Sequence, residues 1–131
     1  MFEQETAGIL VRVEPKFLAE ESEPDAHRFV WSYTIEIENR SGDVVQLISR
    51  YWRLTDANGV VQEVSGAGVV GQQPVIPPGQ CFRYTSAAPL SAPSGVMMGA
   101  YSMIRVDGGE GFDIAVPLFA LDSPHATRLL N

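Results

Sequence analysis

The chain is poor in the residues that build metal and nucleophile sites, with one cysteine, Cys81, and two histidines, His27 and His125, among 131 residues. A lone thiol makes no internal disulfide, which agrees with a reducing compartment and leaves stability to packing. Three Cys and His side chains fall short of the four-ligand shell of a structural zinc site. No apolar run approaches the roughly 18 residues of a bilayer crossing, so membrane insertion is not expected. The opening Met-Phe-Glu-Gln-Glu-Thr lacks the basic-then-apolar order of a secretion signal, which makes the cytoplasm the expected location. Positive charge is scarce as well. Nine Lys and Arg against sixteen Asp and Glu leave a net charge of −7, which opposes non-specific attraction to nucleic acid or anionic lipid. A G-x-S-x-G turn, a metalloprotease His pair and a phosphate-loop Lys are all missing, so no catalytic residue is assigned, no cofactor is expected and the chain is read as no enzyme. His27 and His125 are expected at the surface, and Cys81 is expected as a buried apolar thiol.

Helical periodicity is absent too, and alternation takes its place. Ile9, Val11 and Val13 alternate with Leu10, Arg12 and Glu14 until Pro15, which predicts a short first strand, with Leu18 anchoring the loop behind it. From Phe29 onward, Trp31, Tyr33, Ile35 and Ile37 point one way and Ser32, Thr34, Glu36 and Glu38 the other. Residues 44–55 form the next strand. Its alternation breaks between Val45 and Leu47 and the set Ile48, Trp52 and Leu54, and a bulge near Ser49 restores the face. Asp56-Ala57-Asn58-Gly59 is a turn that returns the chain through 60–64. Val75 and Ile76, then Phe82 and Tyr84, mark further strand pieces, while 85–95, rich in Ser, Ala and Pro, reads as an irregular connection. A second hairpin joins 97–106 to 112–116 across Asp107-Gly108-Gly109-Glu110-Gly111.

About seven strand-sized pieces predict an all-β fold, an immunoglobulin- or fibronectin type III-like sandwich of antiparallel strands, with a small closed barrel as second choice. The length is that of one domain over 1–131, with its core over about 9–121 and a short carboxy-terminal tail. Glu3, Glu5, Glu14, Glu20, Glu21, Glu23 and Asp25 face only Arg12 and Lys16 in the first 25 residues, and this acidic segment is expected as solvated loop.

Gly66-Ala67-Gly68-Val69-Val70-Gly71 has the G-x-G-x-x-G spacing of a dinucleotide-binding turn. That turn needs a helix opening on its glycines, and Pro74, Pro77, Pro78 and Gly79 deny one. The motif is therefore a loop between strands. Successive N–H groups at Gly66, Gly68 and Gly71 would make an anion nest, with Arg50, Arg53 or Arg83 adding charge. The structural alternative has these glycines taking backbone angles closed to other residues while Val69 and Val70 pack inward. Asp107, Glu110 and Asp113 offer oxygen donors around a flexible tip, but too few for a calcium loop, so no metal ligand is assigned, and a protein that binds pyrophosphate or another small anion at Gly66–Gly71, or a divalent cation at this acidic tip, is the alternative reading of function. A sandwich leaves edge strands to pair with a partner segment, which favours a protein-binding module. Tyr51, Trp52 and Tyr101 are the candidate contact surface, set against the reading of Trp31 and Trp52 as core. The protein partner is unidentified, and a monomer or weak homodimer is expected.

Taken in order, several blocks resemble the ApaG family. They are Ile9-Leu10-Val11-Arg12-Val13, Tyr33-Thr34-Ile35-Glu36-Ile37-Glu38-Asn39, Leu47-Ile48-Ser49-Arg50-Tyr51-Trp52 and Thr55-Asp56-Ala57-Asn58-Gly59. Gly68-Val69-Val70-Gly71-Gln72-Gln73-Pro74, Pro78-Gly79, Tyr84-Thr85-Ser86, Gly99-Ala100-Tyr101 and Phe112-Asp113-Ile114-Ala115-Val116-Pro117 continue them. The resemblance implies a fibronectin type III-like sandwich, a role connected with cobalt resistance and magnesium efflux, and no catalytic residues. It also implies an interaction module, since the similar domain occurs inside larger eukaryotic proteins. Ala67 departs from the charged or polar residue that the family often carries between its first two glycines.

Overall fold

The structure, a computed structural model, describes residues 1–126. Nine strands follow in order: β1 (Phe2–Thr6), β2 (Ile9–Phe17), β3 (Phe29–Asn39), β4 (Val45–Asp56), β5 (Val61–Ala67), β6 (Val75–Ile76), β7 (Cys81–Leu90), β8 (Gly95–Arg105) and β9 (Gly111–Leu121). They build two antiparallel sheets, one ordered β1-β2-β3-β7 and the other β5-β4-β8-β9 with β6 also on β4. This is a β-sandwich, and its only helical pieces among the described residues are short 3-10 turns at Ala19–Glu21 and Pro24–Ala26.

Alternation dictates what each sheet buries. In β3, Trp31, Tyr33, Ile35 and Ile37 are buried while Thr34, Glu36 and Glu38 line the outer face. Leu47, Trp52, Leu54, Met97, Tyr101, Met103, Ile114 and Phe119 answer from the second sheet, giving one continuous core. The predicted bulge is present as a register shift between Leu47 and Ser49. At the Asp56 turn, the Asp56 carboxylate accepts the N–H groups of Asn58 at 2.8 Å and Val60 at 3.0 Å.

Several expectations need correction. Pro15 does not end the first strand, because it pairs with Tyr33 and the strand runs on to Phe17. β1 reaches only as far as Val13, so β2 has a free edge at Pro15, where a missing N–H removes no ladder bond. The same holds for Pro89, in β7 at a sheet edge, which extends strand structure through the supposedly irregular 85–95. Pro117 sits in β9 where the β8 register shifts, between the pairs Gly99 with Val116 and Met97 with Phe119. Glu3 and Glu5, expected in solvated loop, lie in β1 opposite Arg12 and Leu10.

The two long sides of the sandwich differ. On one, β1 and β2 pack against β9, with the Phe2 and Phe119 rings 6.2 Å apart and the Ala115 N–H donating to Thr6 Oγ1 at 3.4 Å. On the other, β5 and β7 are sheet edges that no ladder joins.

Candidate functional site

A solvent-open cleft of about 220 Å³ lies between β5 and β7. Its floor comes from inward positions on both sheets: Trp52 and Leu54 on β4, Met97 on β8, and Tyr33 on β3. Register places Val64 beside Trp52 and Gln62 beside Leu54 on one wall, and Ser86 beside Tyr33 and Ala88 beside Trp31 on the other. The space exists because β7 carries Ser86 and Ala88 at inward positions, between the larger Tyr84 and Leu90. Tyr33 and Trp52 meet edge to face at 5.5 Å, and Trp52 meets Tyr101 at 6.0 Å. Gly99 permits this: a Cβ there would strike the Trp52 ring and the Tyr51 carbonyl oxygen.

Tyr33, Ser86 and Arg50 make the polar end of the cleft, and two further buried phenols, Tyr84 and Tyr101, lie within reach of the Arg50 charge. Tyr84 and Tyr101 share a buried hydrogen bond of 2.6 Å between their hydroxyls. Burial raises the pKa of Tyr33, opposed by a hydrogen bond with Ser86 and by the Arg50 charge. Burial raises Tyr84 and Tyr101 likewise, so all three remain neutral phenols at physiological pH. Among the described residues, Arg50 is the one ionised side chain lining the cleft. Its Nη1 donates to the carbonyl oxygens of Ala67 at 3.1 Å and Gly68 at 2.9 Å.

Arg50 thereby ties the cleft to the glycine motif. β5 and β6 run along β4 in the same direction, and residues 68–74 are an excursion between them, opposite the β4 bulge. Gly68 N–H and the Gln73 side-chain amide both donate to the Ile48 carbonyl, at 2.8 and 3.0 Å, and Leu47 N–H donates to Pro74 O at 3.0 Å. Val69 and Gln72 exchange backbone hydrogen bonds of 2.8 and 2.9 Å around a turn with positive φ at Val70 and Gly71. Gly68 is required twice over, by φ +64° and because a Cβ would collide with the Gln72 backbone. No helix follows, as the prolines predict. The Gly68 N–H is therefore spent on β4 and those of Val69 and Gln72 within the loop, while Gly66 lies in β5 under the Arg50 guanidinium. These bonds make the segment a clasp on β4. Val69 packs inward, but Val70 is exposed.

The expected contact surface is corrected in two of its three members. Trp52 and Tyr101 are buried, since both belong to the inward parity of their strands, and only Tyr51 stands outside, where its hydroxyl donates to Glu63 at 2.8 Å. Cys81 is exposed rather than buried, because Phe82, Tyr84, Ser86 and Ala88 take the inner face of β7. Partial desolvation and the nearby Glu36 and Glu38 hold its thiol pKa up. Asp107, Glu110 and Asp113 do not converge. Glu110 pairs with Arg105 at 3.3 Å and Asp113 accepts Ser102 Oγ at 2.9 Å. Among the described residues, one trio of potential ligands lies within 4.8 Å, Glu36, Glu38 and Cys81, and Arg12 bonds both carboxylates. His27 is exposed, and His125, also exposed, lies against Phe17 at 5.8 Å. Sequence reasoning missed Tyr33, Ser86 and Ala88 as cleft residues. The signal was the run of small side chains at 86–88.

With β1 and β2 packed on β9 along one long side, and along the other an open cleft lined by Tyr33 and Arg50 among apolar and small side chains, the molecule is an antiparallel β-sandwich. No described helix is long and apolar enough to cross a membrane. The chain belongs to the ApaG family, whose domain model matches residues 19–105, a span that holds every residue lining the cleft. It is 53% identical over its full length to the whole of Protein ApaG from Rhizobium meliloti (strain 1021), and 51% identical, again over both full lengths, to Protein ApaG from Methylorubrum extorquens (strain PA1). A crystal structure of a Bordetella pertussis protein described under the name ApaA is 41% identical and superposes with a TM-score of 0.86, covering 90% of this chain and 95% of that one.

Proposed function

We propose that the chain acts as one domain and as a non-catalytic binding module, receiving a segment of a protein partner along the open side of its sandwich in the cytoplasm. The supporting observation is β5, an edge strand with six of its seven residues exposed, set directly beside the cleft. An unpaired strand edge offers backbone donors and acceptors to an incoming extended segment, and an adjoining hollow reads its side chains. The connection with cobalt resistance and magnesium efflux that the resemblance implies then acts through the partner.

A photo-crosslinking residue placed at Gln62, on the cleft wall, is expected to trap a discrete partner in cells, and Val64→Asp in the same chain is expected to abolish that product. The same residue at Glu110, on the distal hairpin tip, is expected to give none. Equal products at both positions would remove the open side from consideration.

A further inference from the structure

We infer that the cleft between β5 and β7 seats one large apolar side chain of an extended peptide whose next residue on the same face, two positions along the chain, is acidic, the carboxylate meeting Arg50. This deepens the binding-module reading and rests on it.

Size comes first. At about 220 Å³ the cleft falls below the roughly 300–1,000 Å³ of sites for drug-sized ligands, and it suits one aromatic or branched side chain. Its floor of Trp52, Leu54 and Met97 is apolar and already desolvated, so an apolar group entering it gives up little water structure of the site. An extended peptide presents alternate side chains to opposite faces, so one anchor can drop into the cleft while its backbone follows the β5 edge.

Charge then selects the next side chain on the anchor's face. The protein carries −7 overall, yet among the described residues the only ionised group lining the cleft is a cation. Arg50 uses Nη1 for the Ala67 and Gly68 carbonyls, and among the described residues its Nε and Nη2 make no hydrogen bond. A guanidinium with free donors next to neutral phenols favours a carboxylate over an ammonium group, because nothing in the lining compensates a second positive charge. The glycine clasp fixes where Arg50 stands. Gly66 leaves room for the guanidinium, whose nitrogens lie only 3.0 Å from where a Cβ would be.

The test is an amide-shift titration of the full chain with three compounds: the pentapeptide Ac-Asp-Val-Trp-Val-Thr-NH2, the same peptide with Lys for Asp, and N-acetyltryptophan. The acidic peptide is expected to shift Tyr33, Val64 and Ala88 and to bind about tenfold or more tightly than the Lys peptide, as a charge-assisted hydrogen bond implies. Arg50→Gln is expected to erase that preference. Because Arg50 also holds the loop, Gln62→Glu serves as a second variant on an exposed strand position, and it is expected to weaken the acidic peptide while strengthening the Lys peptide. Equal binding of the two peptides, or shifts gathered away from the cleft, overturns the inference. So does N-acetyltryptophan binding as tightly as the peptide, which would make the occupant a small molecule. Silence towards all three also overturns it, and the crosslink at Gln62 then shows whether the broader reading falls with it.

Discussion

Along its closed side the sandwich joins β1 and β2 to β9 by ring contacts and a backbone-to-side-chain hydrogen bond, and an outer lattice of charge ties β1 and β2 to β3. Arg12 lies 3.5 Å from Glu3, 2.7 Å from Glu36 and 3.0 Å from Glu38, and Arg40 lies 2.7 Å from Glu38 and 3.5 Å from Glu5. Along the open side no ion pair among the described residues involves β5 or β7, and the inward positions carry small side chains. The difference separates two demands on one small domain. Ion pairs and cross-layer ring contacts gather on the closed side, while among the described residues β5 and β7 keep ladder-free edges with no ion pair, the low-stability end expected of a surface that binds.

Breaking the comparison from the closed side should have the largest effect. Phe119 is fully buried and touches the rings of Phe2, Tyr33 and Trp52. Phe119→Ala is expected to cost about 3–5 kcal/mol, by lost transfer energy and the cavity left behind. Val64→Ser, on the half-exposed cleft wall, is expected to stay within about 0.5 kcal/mol. Urea unfolding midpoints measured on both variants check this, and equal losses would mean that the open side is as much a part of the stabilising core as the closed one. Tyr101→Phe comes next. It leaves the Tyr84 hydroxyl buried without its partner, an expected loss of about 1–3 kcal/mol, part of which returns when Tyr84→Phe is added. A double-mutant cycle gives the coupling.

How far these sides can be read from the sequence depends on what each residue has to answer to. β3 is legible because Trp31, Tyr33, Ile35 and Ile37 must all face one core, and a slip by one residue would turn every one of them outward. The parity of Phe82 and Tyr84 likewise placed Cys81 on the outer face, although composition favours burying a thiol. β1 is hidden because Glu3 and Glu5 look solvated until Arg12 and Arg40 are found opposite. The end of β7 is hidden because Pro89 is allowed there only by the free edge. The prolines after Gly71 sufficed to rule out a helix. The Arg50 clasp did not show, since it depends on the register that sets Arg50 against Gly66. The cleft is least legible of all. It is a volume left over between residues as distant as Trp52, Val64 and Ala88, and no local pattern records it.

The smallest expected effect sharpens the comparison by pH. Hydrogen bonds from Arg40, then from Arg12, hold the Glu38 carboxyl below its ordinary value of 4.5. A carboxylate that is more acidic in the folded than in the unfolded chain stabilises the fold fully above the unfolded value, and this contribution fades as pH falls from about 4.5 through the lower folded value. Thermal midpoints followed from about pH 7 to about pH 3 should therefore fall less steeply at the acid end for Glu38→Gln than for the parent chain. The two curves should draw together in high salt, since these charges lie at the surface. Arg83→Gln, on the open-side strand β7 and outside every described ion pair, should leave the acid slope as it is. If Arg83→Gln flattened the slope as much as Glu38→Gln, the outer charge would not belong to the closed side, and the division of the molecule into a stapled side and a receptive one would lose its electrostatic half.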